Sequence, residues 1–593
     1  MSDVYKMYAI IGTVILLVLF GQTIAQFPSV CIRNATKADS TCCPVPKGFS
    51  LPCGGPSRGR CTEITDRPIP KLPLPFSLDD RLNWPKKFFK NACLCEGNFD
   101  GYQCSQCAFG FDGQNCIQRR TSIRKNAVNL EAKERKLLRD VLDASKFTAS
   151  EWMVMNITSK ENVDPVNGTD NLNFIPVSVY DFYVYLHVYG SRSTLPENKT
   201  TCTTNGVFHL DFGHIGSGFI TWHRLLLLAL ERDLKQIALE RFQAADFTLP
   251  YWDWVDDGQW CEVCTPDLFG SETLTTIPYP KRLDASTPFS KWKVMCDINP
   301  RYGFGCRSCD PAGDYGYLYR WLFTPDNPVI LPTRKQVDFM LSRPVYDTYP
   351  YQNTSDNRSF RNVLEGFAKE SGLANFSADE MLMHNVVHQA ALGHFGDQSS
   401  SLNDPIFLAH HTFVDKLFEM WLRKNRPSLS EFPVRNAPIG HNRDEYLVPF
   451  FPPFTYTHAM MFADSRNLGY DYDTMKLQAD VTNGSDSFLL LLSENSWILG
   501  TIIEGIAIVI LIAVVIVLAN RRRRSSPKDT SSASPVTETS AKFSNAADLN
   551  DDETPLVSTE RPVAVRYGSS DDTAGVHRNP NYISRRRQSP FNV

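Results

Sequence analysis

The sequence predicts a mainly α-helical domain with long irregular loops, preceded by a small disulfide-rich module. Three observations support this fold class. Segments with apolar residues at helical spacing recur between residues 131 and 424. Ten of the 16 cysteines fall within residues 27–120, where helical periodicity is weak. Residues 257–350 are rich in Pro, Gly, Asp and Cys, and we expect them to form loops between two groups of helices.

The two ends of the chain indicate a membrane protein of the secretory pathway. Residues 1–25 have the order of a signal peptide, with Lys6, an apolar run, and small residues before a cleavage site after Ala25. An uncleaved anchor is the alternative, because this segment has a single positive residue. Residues 497–519 are apolar and long enough to span a bilayer, and four arginines follow them. The positive-inside rule then predicts a type I single-pass protein with a cytoplasmic C-terminus.

Cysteines and glycosylation sequons agree with an exoplasmic location. The cysteine count is even and all cysteines lie between Cys31 and Cys309, which predicts disulfides rather than thiolate metal sites. Residues 26–120 resemble an EGF-like module, which has little core and depends on its cross-links. Eight Asn-x-Ser/Thr sequons occur in the same part of the chain: Asn34, Asn156, Asn167, Asn198, Asn353, Asn357, Asn375 and Asn483.

The remaining boundaries follow from composition. We expect the main helical domain at residues 121–482, a polar stalk at 483–496 and a disordered cytoplasmic tail at 520–593. Two short tail motifs, 552–557 and 579–582, resemble an acidic dileucine signal and an NPxY turn that would bind sorting adaptors. The net charge of −4 and the pI of about 6.3 argue against nucleic acid as a partner.

Four segments of the main domain are predicted to form helices. The most informative is the last, because it places two adjacent histidines inside an apolar run. Asp404 suits its N-cap and Pro405 its first helical position. Ser377 and Glu380 are expected to cap the helix before it. The four predicted helices are Glu131–Ser145, Phe219–Arg241, Ser377–Leu392 and Asp404–Lys424, and Val177–Tyr189 is an aromatic and apolar segment with His187 near its end.

The histidines form two candidate metal sites. His384 and His388 are four residues apart, on one face of a helix, as two ligands of one metal must be. His411, in the next helix, would complete a site of three histidines. His187, His214 and His223 offer a second set of three. Ligation by imidazole alone suits copper or zinc.

A single histidine of this kind is more often a hydrogen-bonded core residue than a ligand. That structural interpretation is kept for His209, His394, His441, His458 and His577. For the six histidines above it is harder to sustain, since six buried imidazoles would each need partners for both ring nitrogens. Asp415 follows His411 by four residues, where its carboxylate would orient the imidazole ring.

Longer motifs carry a specific resemblance. They are Trp222–Arg224, Leu249–Trp254, Cys261–Cys264, Phe360–Phe367, Met383–Asn385, Asn403–Phe407, Ala437–Arg443 and Leu468–Tyr472. With these motifs the chain resembles the tyrosinase family of type 3 dinuclear copper proteins, and among them the animal membrane-bound tyrosinases and tyrosinase-related proteins of melanin synthesis. The resemblance extends over most of the chain, from the signal peptide to the C-terminal span.

The resemblance implies a four-helix bundle that holds two metals. The first would bind to His187, His214 and His223, and the second to His384, His388 and His411. Asn385 is similar to the family's asparagine that orients water near the site. The implied activity is oxidation by two copper ions and O2, converting tyrosine-like monophenols to catechols and catechols to o-quinones. The implied location is the membrane of a melanosome or another lysosome-related organelle, with the catalytic domain lumenal.

Two other interpretations stay open. Some relatives of this layout are zinc proteins that act on dopachrome or later indole intermediates, and three imidazoles suit either metal. The pair His410–His411 is typical of the copper-binding members, whereas threonine at position 221 is more like the zinc-binding relatives. A non-enzymatic adhesion glycoprotein would also explain the module, sequons and anchor, but it would have no need of six such histidines. A dioxygen carrier fits less well, because this chain is predicted to be membrane-anchored.

One position puts monophenol hydroxylation in question. Ile215 follows His214 where vertebrate members of the family carry a glutamate, whose carboxylate would help to deprotonate the phenol. Asp253 is a candidate substitute for that carboxylate. Gln389, Gln398 and Ser401 lie where the family places residues that line the substrate pocket.

Overall fold

The structure, a computed structural model, describes thirteen segments of the chain. They are residues 26–32, 41–64, 89–155, 174–191, 211–255, 261–272, 281–295, 316–320, 331–373, 382–391, 393–398, 400–447 and 456–477. The predicted signal peptide, stalk, membrane span and tail lie outside these segments, as do Ser377 and Glu380. Among the described residues, no helix combines the length and the apolar character that crossing a bilayer requires.

The N-terminal region is held together by disulfides, as its composition predicts. The five bonds there are Cys31–Cys42, Cys43–Cys61, Cys53–Cys93, Cys95–Cys104 and Cys107–Cys116. A sixth, Cys261–Cys264, closes a turn in the main domain. No cysteine of the described segments is free. The apolar cluster of this region consists largely of the disulfides themselves, around Cys53, Cys93 and Cys104, which explains why so small a module needs them.

The strands are short. They are β1 Gln26–Pro28, β2 Thr41–Cys42, β3 Gly59–Glu63, β4 Asn91–Cys95, β5 Phe99–Asp100, β6 Gln106–Cys107, β7 Phe111–Asp112, β8 Gln118–Arg119, β9 Ser122–Arg124, β10 Ala149–Met155, β11 Phe174–Ser178, β12 Lys281–Arg282, β13 Tyr319–Arg320, β14 Ala368–Lys369, β15 Gly372–Leu373 and β16 Tyr470–Tyr472. The two larger sheets have the orders β1–β10–β11 and β2–β4–β3, and the other pairs are two-stranded.

Helices form the core of the main domain. Among the described residues they are α1 Ala132–Phe147, α2 Val179–Ser191, α3 Phe219–Phe242, α4 Arg334–Leu341, α5 Phe360–Glu365, α6 Met383–Ala390, α7 Ile406–Asn425 and α8 His458–Met461. The mainly α-helical prediction is therefore confirmed for this part of the chain. In α1 a capping box joins Glu131 and Glu134 and fixes the helix start.

The long helices α3 and α7 are buried over most of their length, including the predicted apolar face of α3 at Trp222, Leu226, Leu230 and Leu234. Helix α7 begins at Ile406, two residues later than predicted. Asp404 still accepts the backbone N–H of Ile406 at 3.0 Å, so its carboxylate does stabilise the first turn.

A buried ionic network joins α3 to α7 beneath the site. The carboxylate of Asp415 on α7 accepts hydrogen bonds from Arg224 at 2.5 Å and Arg124 at 3.3 Å. The phenols of Tyr470 and Tyr472 each donate to it at 2.6 Å. Arg124 also pairs with Glu231 and Arg224 with Glu419, so each buried charge has an opposite partner and the network fixes the register of the two helices.

Candidate metal centre

Buried histidines of the main domain gather in two groups. In the first, His187 lies on α2, His214 on the loop 211–218 and His223 at the start of α3. In the second, His384 and His388 lie on α6, and His410 and His411 on α7. Within each group the ligand atoms lie within 4.8 Å of one another, and every ring is buried. The structure thus brings together each predicted set of three histidines and adds His410 to the second.

Three nitrogens of the second group converge on one point. The Nε2 atoms of His384 and His388 are 3.0 Å apart, and that of His411 lies 3.3 Å and 3.2 Å from them, respectively. Nitrogens that bind one ion tetrahedrally at ~2.0–2.1 Å lie about 3.3 Å from each other. The triangle therefore has the dimensions of three ligands of one metal.

Backbone and side-chain acceptors set the tautomers of the converging rings. Nδ1 of His388 donates to the carbonyl of Phe395 at 2.8 Å, and Nδ1 of His384 to Oδ1 of Asn385 at 2.9 Å. The proton of each neutral ring is therefore on Nδ1, and both Nε2 lone pairs face each other. Such lone pairs repel unless a cation lies between them, so these residues fit a bound metal.

In the first group, a backbone acceptor likewise sets the tautomer of a histidine ring. Nδ1 of His223 donates to the carbonyl of Phe219 at 2.9 Å, which leaves the lone pair on Nε2. Within the described structure this Nε2 atom is buried and has no hydrogen-bond partner. A buried acceptor without a partner is costly, and a metal bound there would satisfy it.

Electrostatics keep the rings neutral, which is the form that binds metal. Burial, reinforced by the neighbouring imidazoles, lowers the pKa of His223, His384 and His411 well below the ordinary value. Burial likewise lowers the pKa of His388 to about 3. Metal binding at these rings therefore does not have to displace a proton near neutral pH.

The two groups adjoin. The imidazole of His223 stacks on that of His411, with ring centroids 4.3 Å apart and planes 12° apart. Phe219 lies between the groups as well, 5.0 Å from His223 and 4.7 Å from His384 between ring centroids. The arrangement suits two metal ions that act on one bound molecule.

Asp211 builds the loop that carries His214. Its Oδ1 accepts the backbone N–H groups of Gly213 and His214 at 2.8 Å and 2.9 Å, and it lies 3.2 Å from Nδ1 of His214. Its Oδ2 accepts from Gln398 at 2.5 Å. These bonds and the nearby imidazole lower the pKa of Asp211 against the effect of its burial. The carboxylate therefore fixes both the turn and the ring.

His441 and His458 pack against the same loop. Nε2 of His441 donates to the carbonyl of Asp211 at 2.6 Å, and its Nδ1 accepts the N–H of Gly218 at 3.0 Å. A Cβ atom at Gly218 would lie 2.5 Å from the ring of His458, so no side chain fits there. Neither histidine belongs to a metal group among the described residues. The structural interpretation of these two histidines is confirmed.

A small pocket opens beside the two groups. Its lining includes His214, Ile215, Phe367, Gln398 and the buried carboxylate of Glu365. Asn385 lines it as well, next to His384 and His388. The pocket therefore adjoins histidines of both groups, His214 of the first and His384 and His388 of the second.

Glu365 was not predicted as a site residue, although it lies within the motif Phe360–Phe367. Its Oε1 accepts the N–H of Ile215 at 2.6 Å and its Oε2 accepts from Arg361 at 3.0 Å. Burial raises the pKa of Glu365 to about 7, against the opposing effect of Arg361. A carboxyl group of this pKa can exchange a proton with a bound molecule near neutral pH.

Comparisons with known proteins agree with this site. The family model of the common central domain of tyrosinase matches residues 177–424. The tyrosinase of Gallus gallus is 36% identical over 508 residues, which cover 83% of this chain and 90% of that protein. The chain belongs to the tyrosinase family.

Other members of the tyrosinase family match over similar lengths. The tyrosinase of Pelophylax lessonae is 37% identical over 83% of this chain and 89% of its own. The 5,6-dihydroxyindole-2-carboxylic acid oxidase of Homo sapiens is 35% identical over 77% of this chain and 84% of its own. Among solved structures, recombinant mushroom tyrosinase aligns with 62% of this chain and 63% of its own at 18% identity, with a TM-score of 0.35.

The expected role of Asp415 in this tyrosinase-family centre is wrong. Its carboxylate binds two guanidinium groups and two phenols and does not reach His411, whose Nδ1 has no hydrogen-bond partner within the described residues. Charge-assisted bonds to arginine are stronger than a bond to a neutral imidazole, so the carboxylate binds the two arginines rather than His411.

One of the three residues expected to line the substrate pocket lies in the lining of the small pocket beside the histidines. Gln398 lines the pocket, whereas Gln389 and Ser401 are buried outside its lining. Asp253 is buried and does not line the pocket either. Among the residues that line this pocket, Glu365 is the one that carries a carboxylate.

Proposed function

We propose that this protein is a copper-dependent oxidase of phenols in melanin biosynthesis. Its reactions would be ortho-hydroxylation of tyrosine-like monophenols and oxidation of catechols to o-quinones. The observation that carries the proposal is the pair of adjoining histidine groups, in which ring nitrogens with free lone pairs converge beside a pocket. The relatives named tyrosinase, matched over most of this chain, support the same activity.

The proposed ligands are the two sets of three histidines. His187, His214 and His223 would hold one copper ion, and His384, His388 and His411 the other. The two ions would supply the redox chemistry with O2 as co-substrate. The net reactions balance as monophenol plus O2 giving o-quinone plus water, and as two catechols plus O2 giving two o-quinones plus two waters.

The chain itself would bind the substrate and move its proton. A phenol must lose its hydroxyl proton to become a good nucleophile, and Glu365 is the carboxylate that faces the pocket. Each of its oxygens accepts one hydrogen bond and keeps a second lone pair for that proton. Asn385 lies in the same lining, where its amide would hold a water molecule between Glu365 and the substrate.

The presence of Ile215 is compatible with monophenol hydroxylation. Its backbone N–H, rather than its side chain, makes the contact with Glu365 that orders the pocket. Ile215 adopts a φ of 61°, in the left-handed region that β-branched residues avoid. The hydrogen bonds of Asp211 and Glu365 on either side hold the loop in this conformation.

A second candidate is a zinc protein that acts on dopachrome or on later indole intermediates. The specific observation in its favour is the match to a 5,6-dihydroxyindole-2-carboxylic acid oxidase at nearly the same identity as the tyrosinases. The ligand set does not separate the two, because neutral imidazole suits both metals.

Several features of the proposed protein rest on the sequence. They are the EGF-like character of residues 26–120, the main domain at 121–482 with a four-helix bundle around the metals, the lumenal glycoprotein, the membrane span at 497–519, and the melanosomal location with tail motifs for sorting adaptors. The distribution of the histidines supports the bundle, since five of the six proposed ligands lie on α2, α3, α6 and α7.

Metal analysis of the detergent-solubilised chain tests the proposal. We expect about two copper ions per chain, together with o-quinone formation from a monophenol and a catechol. His388→Ala should leave a folded chain that has lost one metal and all phenol oxidation. Zinc in both sites without quinone formation would favour the second candidate, and undiminished oxidation by His388→Ala would refute the ligand assignment.

A further inference from the structure

The second histidine group contains one imidazole more than a catalytic site uses. The side chains of His384, His388, His410 and His411 are all buried, and each offers a ring nitrogen that lies within 4.8 Å of those of the others. The ring of His410 stacks on that of His384, with centroids 5.0 Å apart, and meets that of His388 edge-on at 4.7 Å. Metal sites with four protein ligands are closed, whereas catalytic sites keep one position for water or substrate.

Trp254 determines which ring nitrogen of His410 carries the proton. Its indole N–H donates to Nδ1 of His410 at 3.1 Å, in a buried contact. An indole nitrogen can only donate, so Nδ1 of His410 is the acceptor and holds no proton. The proton of the neutral ring is therefore on Nε2. His410 then has no lone pair left for a metal, since one nitrogen accepts a hydrogen bond and the other is protonated.

Trp254 is held in place independently of the histidines. The backbone N–H of Trp252 donates to the carbonyl of Ala409 at 3.0 Å, which docks the segment on α7. The indole of Trp254 packs edge-on against Phe413 at 4.8 Å, and the whole side chain is buried. The donor thus stays aimed at His410 whether or not the site holds a metal.

We propose that Trp254 keeps a coordination position open at the second metal, by holding His410 in the tautomer and orientation that cannot bind. This inference rests on the proposed function, because it assumes a metal on His384, His388 and His411. Without the indole N–H, His410 is free to move its proton to the other nitrogen and to present a lone pair to the metal. The site would then close with four imidazoles, and small ligands would lose access to that ion. Trp254 is a positioning residue in this account.

Cobalt(II) is a suitable probe, because its visible absorption responds to the number and kind of its ligands. The full-length chain is loaded with Co²⁺ and titrated with azide, a small anion that binds at an open position. We expect two Co²⁺ ions per wild-type chain, both responsive to azide. In Trp254→Phe, which keeps an aromatic ring but lacks the N–H, two ions should remain and about half of the azide response should be lost.

Matched variants separate this effect from a packing defect. Trp254→Phe combined with His410→Leu should regain the full azide response, because the competing imidazole is gone. Trp252→Phe is the control, since Trp252 is equally buried and, among the described residues, makes no hydrogen bond or ring contact with the four histidines. It should behave like the wild type.

The inference and the proposed function fail in different ways. Two azide-responsive ions in Trp254→Phe, or a double variant that resembles Trp254→Phe, would overturn the inference alone. A wild-type chain that binds no Co²⁺ would overturn both. If Trp254→Phe does not fold, His410→Leu decides: two ions with an unchanged azide response support the inference, and loss of one ion would make His410 a ligand and overturn it.

Discussion

The carboxylate of Asp211 lies 3.2 Å from Nδ1 of His214, while the same oxygen accepts two backbone N–H groups of the loop between them. A single side chain thus sets the conformation of the loop and the orientation of the imidazole. His214 is the one proposed ligand that no helix carries, so its position depends on these bonds.

Asp211→Asn should weaken the first metal site and leave the second intact. An amide oxygen is a poorer partner for the imidazole N–H, and loss of such a partner typically costs ~10–100-fold in metal affinity. We expect one of the two metals to dissociate at a chelator concentration that leaves the wild type loaded. Asp246→Asn, at an almost fully exposed carboxylate, is the control and should retain both. Equal retention by Asp211→Asn would argue against a positioning role.

Acid should destabilise the protein through His441. Burial lowers the pKa of His441 from 6.5 to about 4, so the unfolded state binds its proton first as pH falls. The contribution of neutral His441 to the free energy of unfolding is therefore fully present above pH 6.5. It is lost as pH falls towards 4, by up to about 3 kcal/mol. Protonation also removes the lone pair that accepts the N–H of Gly218.

Urea unfolding at pH 7 and pH 4.5 measures this effect. The wild type should lose more stability between the two pH values than His441→Gln, whose amide does not titrate. The same pH dependence in both proteins would show that His441 contributes none of it.

Glu365→Gln should reduce turnover while both metals stay bound. The amide can still accept the N–H of Ile215 but cannot take a proton from a phenol. Loss of a general base typically costs ~10²–10⁴-fold in rate. We expect monophenol hydroxylation to fall more than catechol oxidation, measured as kcat for each. Glu240→Gln, at an exposed position of α3, is the matched control. Unchanged monophenol turnover would exclude Glu365 as the proton acceptor.

Asp415→Ala should lower the stability of the domain without causing a specific loss of metal. Its removal leaves Arg224 and Arg124 with one buried carboxylate partner each, Glu419 and Glu231, so we expect a cost below the about 3–5 kcal/mol typical of an uncompensated buried charge. The expected result is a lower unfolding midpoint in urea, with two metals per chain in the folded fraction. A folded variant that lacks only the second metal would instead restore the idea that Asp415 orients His411.

The sequence by itself determined the long helices and which histidines gather, but it missed the short helix α4, which lies in the predicted loop region 257–350. Apolar residues at helical spacing placed α3 and α7 to within two residues at each end, because burial of one face is a local property of the sequence. The spacing of His384 and His388 put both rings on one face for the same reason. The cysteine content predicted a region held by disulfides, because so short a segment cannot build a core.

Only the tertiary structure decided which group each side chain contacts. Trp254 meets His410 across 156 residues of sequence, and Arg124 meets Asp415 across 291. The sequence placed Asp415 near His411 on one helix face, but arginines from distant segments bind its carboxylate more strongly. Glu365 faces the pocket because its hydrogen bond to Ile215 draws the two segments together. Hydrogen bonds and ion pairs act between atoms a few ångströms apart, and the folded chain, not the order of residues, sets those distances.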